Sequence, residues 1–523
     1  MVKDNSSKTD PMPSLEIDYE DVYKLLDIYF DQKYIQFSHQ HDSFNEFIEK
    51  IIPDILTSGE NRFYEKLSDT KLIIYRLQFK NIAIKSPVMD NSDDFMYPVD
   101  ARRTDSTYAS KIFATVGQYQ DVVDVVTGEK TSRLIGKEED NIPIAKIPIM
   151  VKSKYCNLVA RPNSSVVECR YDPGGYFIIG GSEKVVMSVE KMVYRKPMVT
   201  IKKEQNNYVY QVQVDSKNYN TFVGNNQLFT MKIKKDTNIV LDIPQFKEIS
   251  IYSVLKALGI ETDEDITNII VDDKNDIQMI NLINRSINAQ PQNIRFLNKK
   301  EATEYLMKNL KVTKSYSDTT PEIRELQVEK HLKKILSIDM LPHATTGTGL
   351  PDLDMKHKAY YIGYMIKKLF SCYLGRTEQD DRDSFINKRI ELPGPLLGQL
   401  FQQFFKKMLN ECGKFFKRRN SDDSNPINII SSQIKPTIIE QGIKTSLSTG
   451  AWGGSKSRKG FAQVLQRLTY MQTITYLRRV ITPGVDASTN KMTSPRHLHN
   501  TQYGFFCPLE TPEGVETPEC KKI

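Results

Sequence analysis

The sequence predicts a multidomain α+β protein in which mixed antiparallel sheets are combined with helices. The chain has 523 residues, enough for about two to four domains. Runs with period-two alternation and many β-branched residues fill 70–153 and 197–245, and this pattern is typical of antiparallel strands. From Glu248 onward the apolar spacing becomes helical. Strands followed by helices are typical of an α+β domain.

The composition is that of a soluble, globular protein. Hydrophobic residues make up 39% of the chain, charged residues 26%, and the net charge is +7, which alone does not indicate nucleic-acid binding. Residues 1–14 predict a disordered tail without an apolar signal core. No apolar run approaches ~18 residues, so we expect no membrane span. The six cysteines form no Cys-x-x-Cys pair, and we therefore assign no metal ligands in this chain.

The first structured elements are predicted to be two helices. Apolar residues at helical spacing predict one at 19–32. A second is predicted to begin at a cap on Asp42 or Ser43. Under this assignment, His39 and His41 are solvated residues of the preceding loop rather than metal ligands.

Two glycine pairs, Gly174–Gly175 and Gly180–Gly181, flank a short apolar run at 176–179. Glycines supply the positive φ of tight turns. Because the sequence there matches neither GxGxxG nor GxxxxGK, we predict a hairpin rather than a phosphate-binding loop. Upstream, Arg102 and Arg103 either approach nucleic acid or anchor a loop to carboxylates, and the sequence leaves both alternatives open.

A long helix is predicted at 356–375. Its aromatic residues are at helical spacing, which favours core packing over base stacking. After it, Asp380, Asp381 and Asp383 alternate with basic residues. We interpret this pattern as an ion-pair network at a crossing between domains rather than a metal site. The aromatic residues are Tyr360, Tyr361, Tyr364, Phe370 and Tyr373.

The most unusual stretch is 446–514. Between Lys444 and Asn500 nine Lys or Arg residues face one acidic residue, Asp486. Such a concentration creates a local field for polyanions that is far stronger than the average charge of the chain. A basic loop rich in glycine and serine comes first, an amphipathic segment follows from Phe461 to about Val480, and a second loop rich in proline, glycine and histidine ends the stretch.

Several motifs resemble the second-largest subunit of multisubunit DNA-directed RNA polymerases, the counterpart of the bacterial β subunit, in its eukaryotic or large-DNA-virus form. The resemblance extends from about residue 15 to Gly514. It is most specific in the runs QVLQRLTYMQTITYLRRVITP (463–483) and PRHLHNTQYGFFCPLETPEG (495–514). It is supported by PGGYFIIGGSEKV (173–185), SIDMLPHATTG (337–347) and DRDSFINKRIELPGPLLGQLF (381–401).

The resemblance implies a domain order. Residues 1–14 are the tail, and the other segments are the first part of the protrusion domain (15–196), the lobe (197–385), the return segment of the protrusion (386–445) and a truncated fork (446–523). It also implies partners, namely the largest polymerase subunit and other subunits, the DNA template and the RNA–DNA hybrid, with no membrane. The expected location is the virion or host cytoplasm for a viral protein and the nucleus for a cellular eukaryotic one.

The implied activity is template-directed RNA synthesis from nucleoside triphosphates with Mg²⁺, held mainly by the largest subunit. Glu513 is implied to lie near the incoming nucleotide and the second metal. His497 stands where the family commonly has Gln, which leaves its role open. For Arg478 and Arg479 the alternative is a helix C-terminal pair favoured by the helix dipole. The implied nucleic-acid-binding residues are Lys456, Arg458, Lys459, Arg467, Arg478, Arg479, Arg496 and His497.

Beyond Gly514 the family pattern breaks. The wall, the hybrid-binding region and the clamp segment are missing, and zinc is expected only in that missing C-terminal part. We therefore expect either a fragment or one half of a split subunit, which would be inactive in isolation. The alternative function is a non-catalytic module that binds nucleic acid or a partner, or that only folds.

Overall fold

The structure is a computed structural model of the 523-residue chain. It describes residues 19–31, 35–58, 61–67, 71–90, 94–124, 130–163, 168–201, 207–218, 226–243, 246, 248–290, 298–310, 321–345, 351–419, 426–452, 460–482, 497–510 and 521–522.

The strands of the described residues are β1 (Arg62–Leu67), β2 (Lys71–Ile84), β3 (Ala109–Asp124), β4 (Lys130–Pro148), β5 (Phe177–Ile179), β6 (Ser182–Val186), β7 (Ser188–Met192), β8 (Met198–Ile201), β9 (Tyr208–Ser216), β10 (Gln227–Lys234), β11 (Ile239–Asp242), β12 (Ile249–Ser250), β13 (Lys388–Glu391), β14 (Ala462–Val464), β15 (Arg479–Ile481) and β16 (Lys521–Lys522).

The α-helices of the same residues are α1 (Tyr19–Phe30), α2 (Ser38–Glu46), α3 (Ile52–Thr57), α4 (Pro98–Arg103), α5 (Asn157–Ala160), α6 (Ile251–Ala257), α7 (Asp263–Ile270), α8 (Ile277–Asn288), α9 (Lys299–Asn309), α10 (Pro321–Lys334), α11 (Pro351–Tyr373), α12 (Pro393–Arg419), α13 (Ile430–Gln433), α14 (Pro436–Thr449) and α15 (Tyr470–Leu477).

The described strands form four sheets, which confirms the predicted α+β class. Their orders are β1-β2-β3-β4, β12-β11-β10-β9-β8, β13-β7-β15-β16 and β14-β6-β5. Every pairing is antiparallel except that of β15 with β7. Alternation explains β2, because Tyr75, Leu77 and Phe79 point into the core while the residues between them are more exposed. The strand-like runs of the sequence therefore form antiparallel sheets, as predicted.

The described residues form two large hydrophobic cores and one small cluster of Phe385, Val480 and Phe506. The first contains side chains from 37–189 and from 396–481, and the second contains side chains from 199–372. The chain leaves the first core after β7 and returns through β13, which pairs with β7 so that Ile390 lies opposite Glu190. The second core is therefore an insertion whose two ends meet in one ladder.

Helix α12 forms the centre of the first core. Its apolar stripe includes Phe401, Phe405 and Phe416, each almost fully buried. The helix comes so close to α2 that a Cβ on Gly394 would lie 2.0 Å from the carbonyl oxygen of Ser43. The Gly394 N–H donates to Ser43 Oγ at 2.8 Å. This contact requires glycine, because any side chain would push the two helices apart.

The structure corrects the prediction for the residues before Phe44. Helix α2 already begins at Ser38 and continues through a π-helical turn (Phe47–Ile51) into α3. His39 and His41 are therefore helical residues and not loop residues, and His41 is buried. The predicted cap at Asp42 or Ser43 is wrong. Long-range contacts of the helix, described below, outweigh the local capping signal.

Two further predictions have a direct outcome. Of the aromatic residues on α11, Phe370 is fully buried, but Tyr360 and Tyr364 are exposed, so core packing accounts for only part of the stripe. The ion-pair interpretation of the Asp380 region is supported in part, because Asp380 pairs with Lys368 at 2.7 Å and Asp381 Oδ2 lies 2.7 Å from His499 Nε2, whereas the network with the neighbouring basic residues stays a prediction. Residues 1–14 lie outside the described chain.

Candidate nucleic-acid interface

The basic stretch is built onto the hairpin that the two glycine pairs predicted. Strands β5 and β6 form this hairpin around Gly180–Gly181. Strand β14 adds to it, with Ala462 opposite Val186 and Val464 opposite Lys184. Strand β15 then joins β7 in parallel. The predicted single amphipathic segment is thus divided into β14, α15 and β15, because both of its ends pair with strands that lie far away in sequence.

The base of the basic loop is closed by packing and by backbone hydrogen bonds. The rings of Trp452 and Phe461 stack with centroids 5.5 Å apart, and the Phe461 N–H donates to the Gly450 carbonyl at 3.1 Å. Gly450 has φ +71°, and a Cβ there would lie 2.5 Å from the Ala462 carbonyl oxygen. Trp452 Nε1 donates to the Leu396 carbonyl on α12 at 3.1 Å. The loop is therefore anchored on the first core.

Lys456, Arg458 and Lys459 belong to the loop that this base closes, and they lie outside the described residues. The structure fixes only where the loop starts and ends, at Trp452 and Gly460. Next to it, Lys184 Nζ donates to the Ser448 carbonyl at 3.0 Å. This lysine therefore contacts the end of α14, close to the base of the loop.

Arg467 lies between β14 and α15 and enters a cluster of ionised side chains. Its Nη2 is 3.1 Å from Asp172 Oδ2, and its Nε donates to Glu183 Oε2 at 2.5 Å. Its guanidinium carbon lies 5.0 Å from the centroid of the Tyr176 ring. Asp172 and Glu183 belong to the hairpin region, so the basic stretch is joined to the hairpin by charge as well as by strands.

Arg102 enters the same cluster from α4. Its Nε donates to Glu183 Oε1 at 2.8 Å, its Nη1 to Glu168 Oε1 at 3.0 Å, and its Nη2 to the Tyr176 hydroxyl at 2.6 Å. Of the two alternatives for Arg102, the structure shows the carboxylate anchor. Burial and the neighbouring carboxylate of Asp172 raise the pKa of Tyr176 above its usual value, so this hydroxyl remains a donor at neutral pH.

The C-terminal end of α15 carries Arg478 and Arg479. Arg478 is the C-cap residue of the helix. The guanidinium carbon of Arg479 lies 4.3 Å from the centroid of the Tyr476 ring. Both side chains are half-buried. A cation at this end is favoured by the helix dipole, and the positions are equally compatible with a nearby polyanion.

The helix end itself is held by α2. Gln40 Nε2 donates to the Leu477 carbonyl at 2.9 Å, and His39 Nε2 lies 3.3 Å from the same oxygen. His41 Nε2 lies 3.2 Å from the Pro173 carbonyl of the hairpin turn. Burial lowers the pKa of both His39 and His41. The neutral rings therefore serve as packing and hydrogen-bonding groups for the basic stretch.

Of the predicted residues in the second loop, only His497 lies in the described chain, and it is exposed. Arg496 and Glu513 lie outside it. Two residues after His497, His499 Nε2 contacts Asp381 Oδ2 at 2.7 Å and its Nδ1 contacts Thr501 Oγ1 at 2.7 Å. The Phe385 N–H donates to Thr501 Oγ1 at 2.9 Å. Residues 497–501 are therefore attached to the chain segment that returns from the second core.

The sequence did not single out Asp172 or Glu183 as site residues. The only signal was that Glu183 lies in the quoted hairpin motif and that Asp172 directly precedes it, because their basic partners become neighbours only on folding. Within the described ranges, no group of three or more His, Cys, Asp or Glu residues is placed to hold a metal ion. No helix among the described residues is long and apolar enough to cross a membrane.

The arrangement of the basic stretch is suited to holding a polyanion in a fixed orientation. Two loops, one closed by Trp452 and Phe461 and one fixed by His499, come from the same basic stretch. Between them in sequence, Leu468 just before α15 and Met471 in its first turn are 85% and 65% exposed. Backbone phosphate contacts by such loops would orient a strand without reading its sequence.

Comparisons with known proteins agree with this architecture. A family model described as "RNA polymerase beta subunit" matches residues 36–436, and a second described as "RNA polymerase Rpb2, domain 3" matches 463–518. The chain is 51% identical over 505 residues to "DNA-directed RNA polymerase subunit 2" of Acanthamoeba polyphaga mimivirus. It is 33% identical over 527 residues to "DNA-directed RNA polymerase II subunit 2" of Arabidopsis thaliana.

A more distant relative is the "DNA-directed RNA polymerase subunit Rpo2" of the archaeon Saccharolobus shibatae, at 26% identity over 514 residues. These alignments cover 95%, 95% and 98% of this chain but 42% of each relative. The chain thus spans about two fifths of the length of the curated relatives it matches. Because the first family model matches more than half of its residues, the chain belongs to the RNA polymerase beta subunit family.

Proposed function

We propose that this chain acts as part of a DNA-directed RNA polymerase and takes part in template-directed RNA synthesis from nucleoside triphosphates. The observation that carries the proposal is the 51% identity, over 95% of this chain, to the mimivirus protein named DNA-directed RNA polymerase subunit 2. The chain corresponds to 42% of that relative, so its contribution is defined by the regions that it contains.

We assign 15–196 and 386–445 to the protrusion, 197–385 to the lobe and 446–523 to the fork, so that the second core lies in the lobe and the first core is shared by the protrusion and the start of the fork. The division into two hydrophobic cores supports this assignment, since one core includes side chains from both sides of the insertion. The pairing of β7 with β13 marks the crossing between the two domains.

The fork is proposed to hold DNA and the RNA–DNA hybrid next to the active centre. Its first loop begins and ends on the first core, so the cations of that loop reach a strand from a fixed base. Such contacts weaken with salt, because each neutralised phosphate releases counterions. The proposed contact residues are Lys456, Arg458, Lys459, Arg478, Arg479, Arg496 and His497.

Catalysis is proposed to depend on Mg²⁺ held mainly by the largest subunit, and any zinc site to lie in parts of the polymerase outside this chain. When bound, Mg²⁺ neutralises the triphosphate and activates the 3′ hydroxyl. Glu513 is proposed to lie near the incoming nucleotide and to orient it. The described residues of this chain contribute no metal cluster of their own.

The proposed partners are the largest subunit, further polymerase subunits, the DNA template and the RNA–DNA hybrid. The mimivirus and Arabidopsis relatives support two settings. In a viral system we place the protein in the virion or the host cytoplasm, and in a cellular eukaryote in the nucleus.

Purification of the native polymerase through a tag on this chain tests the proposal. The purified assembly would be given a labelled RNA annealed to a DNA template, together with nucleoside triphosphates and Mg²⁺. We expect RNA extension, with a largest subunit among the co-purifying chains. The substitution Glu513→Gln is expected to lower the extension rate by about tenfold or more, since removal of one electrostatic group from an active centre has effects of this order or larger.

The matched control is Arg62→Gln, which removes an exposed ion pair on β1, far in sequence from the fork. It is expected to extend RNA at the wild-type rate. An assembly that contains the tagged wild-type chain but extends no RNA would overturn the proposal.

A further inference from the structure

Among the basic residues of the fork, Arg467 is distinguished by its carboxylate partners. We propose that Arg467 is a positioning residue, which locks the fork onto the Gly-Gly hairpin through Asp172 and Glu183 and does not itself contact phosphate. The inference deepens the proposed function, because it states how the nucleic-acid-holding region is set in place.

The Nε and Nη2 donors of Arg467 are engaged by carboxylates, although the side chain as a whole is 39% exposed. Its Nη2 lies 3.1 Å from Asp172 Oδ2 and donates to Glu183 Oε1 at 3.1 Å, while its Nε donates to Glu183 Oε2 at 2.5 Å. One face of the guanidinium is covered by Tyr176, with 5.0 Å between the guanidinium carbon and the ring centroid. A phosphate that bound at Nε or Nη2 would have to displace carboxylates from a forked, charge-assisted geometry.

The two carboxylates are held in place independently of Arg467. The side chain of Asp172 is only 7% exposed and accepts from the Gly174 N–H at 3.0 Å and from the Tyr176 hydroxyl at 2.6 Å. Glu183, 16% exposed, accepts from Arg102 Nε at 2.8 Å. The hairpin therefore presents a preformed pair of anions.

The charge balance of the cluster shows why the carboxylates of Asp172 and Glu183 need a second cation. The carboxylates of Glu168, Asp172 and Glu183 all lie close to Arg102, which is the cation that α4 supplies to them. Arg467 supplies the second cation, from the fork. Without it, partly buried carboxylates would remain uncompensated, which is costly. The cluster thus has a structural requirement for a cation at position 467.

Arg467 sits where positioning has the greatest effect. It follows β14 and precedes Thr469, whose side chain caps α15 by accepting from the Gln472 N–H at 3.1 Å. At the other end of the helix, Gln40 holds the Leu477 carbonyl. Arg467 therefore fixes the start of α15 just as α2 fixes its end, and the orientation of Arg478 and Arg479 depends on both.

The test compares Arg467→Gln, Glu183→Gln and the double variant in the full chain. Lys456→Gln, from the proposed phosphate-contact set, is the comparison variant, and Arg62→Gln, from an exposed ion pair on β1, is the control. Two quantities are measured. One is the affinity for a fluorescent RNA–DNA hybrid with a single-stranded template extension, at several KCl concentrations. The other is hydrogen exchange of the backbone amides of 470–477.

Positioning predicts that Arg467→Gln and Glu183→Gln each speed exchange in 470–477 about tenfold, and that the double variant adds little, because the Arg467–Glu183 contact is lost in both single variants. The slope of log affinity against log salt is expected to equal that of the wild type for Arg467→Gln. For Lys456→Gln the slope is expected to be smaller by roughly 0.7–0.9, the value of one lost phosphate contact. Arg62→Gln is expected to change neither quantity.

The inference is overturned if Arg467→Gln reduces the salt slope as Lys456→Gln does and leaves exchange in 470–477 unchanged. If Arg467→Gln fails to fold, Arg467→Lys is used in its place. Its exchange rate in 470–477 is then expected to lie between those of the wild type and Glu183→Gln. A wild-type chain that binds no hybrid would count against the proposed function. The exchange data would still decide whether Arg467 positions the fork.

Discussion

The second core and the fork differ in the contacts that hold them to the rest of the chain. In the second core, Val212, Met231 and Phe370 are fully buried apolar side chains. The fork packs against apolar partners through Leu465 and Leu477 in the first core and through Phe506 beside Phe385, and it also makes polar contacts with distant parts of the chain. These include the ion pairs of Arg467 and the contact of His499 with Asp381.

This difference distinguishes contacts that stabilise the folded chain from contacts that fix the orientation of a segment. Burial of apolar surface is strong and non-directional, at roughly 25 cal/mol per Å². Hydrogen bonds and ion pairs contribute less to the net free energy of unfolding, but they fix orientation. A region that must hold a strand next to an active centre needs orientation more than it needs additional stability. Changes in the second core should therefore alter unfolding, whereas changes in the fork should alter geometry.

The largest expected effect is from Phe370→Ala in the second core. Because this ring is fully buried, we expect a loss of about 3–5 kcal/mol in the free energy of unfolding. Trp452 is the single tryptophan of the chain and lies in the first core. Denaturant unfolding should therefore shift in far-UV circular dichroism while the Trp452 fluorescence transition stays in place. Equal shifts of the two signals would show that the cores unfold as one unit.

Tyr360→Ala provides the control on the same helix. Tyr360 is 59% exposed, so its removal should change the free energy of unfolding by no more than about 0.5 kcal/mol.

The next effect is expected from Arg102→Gln in the charge cluster. The variant leaves Glu168 and Glu183 without their common cation. Because the Arg102 side chain is 25% exposed, we expect a loss of about 2–3 kcal/mol, below the cost for a fully buried pair. The Trp452 fluorescence transition should report it. Arg62→Gln should cost no more than about 1 kcal/mol. Similar losses for the two variants would show that the cluster is no stronger than a surface ion pair.

The sequence predicted the fold class, the sheet-forming runs and the family, and all three are confirmed. These predictions succeeded because they rest on local pattern or on long motifs. Alternation marked β2, and the glycine pairs marked the hairpin of β5 and β6. The alternation of acidic and basic residues at 380–383 indicated ion pairing, and Asp380 does form an ion pair, but with Lys368 rather than with a neighbouring base.

Predictions failed or stayed incomplete where distant segments meet. The start of α2 was misplaced because Gln40 bonds to Leu477, 437 residues away in sequence. The division of 461–480 into two strands and a helix depends on β6 and β7. For the site, the partners of Arg467 were invisible because Asp172 and Glu183 are nearly 300 residues away. Local pattern carries no information on such pairs. The contacts assigned to Lys456, Arg458, Lys459, Arg496 and Glu513 stay predictions.

A smaller effect is expected from pH in the second core. His343 contacts Ser216 Oγ at 2.6 Å and packs edge-on against the ring of Tyr361. Burial, with the nearby charges of Arg195 and Lys358, lowers its pKa to about 4. The unfolded chain has a value of about 6.5, so the unfolded state binds the proton first. The stabilising contribution of His343 is therefore complete above pH ~6.5 and is lost as the pH falls toward 4.

Between pH 7.5 and 5 we expect this one residue to account for about 1–2 kcal/mol of lost stability, since the ring is only partly buried. His343→Gln should remove that part of the pH dependence of the circular dichroism transition. His39 and His41 also have lowered pKa values, but they lie against the first core. A pH dependence that is identical in wild type and His343→Gln would contradict the assignment.

The smallest effect on stability is expected from His499→Ala in the fork. His499 is half-buried and joins Asp381 to Thr501. Loss of such a partly exposed contact should lower the free energy of unfolding by no more than about 1 kcal/mol. His357 is an exposed histidine on α11, and His357→Ala should lower it even less. Hydrogen exchange of the amides of 497–506 should nevertheless rise severalfold in His499→Ala and not in His357→Ala. A polar contact would then have fixed the geometry of the second loop while contributing little to the stability of the fold. Unchanged exchange there would mean that packing of Phe506 against Phe385 is sufficient to hold the loop.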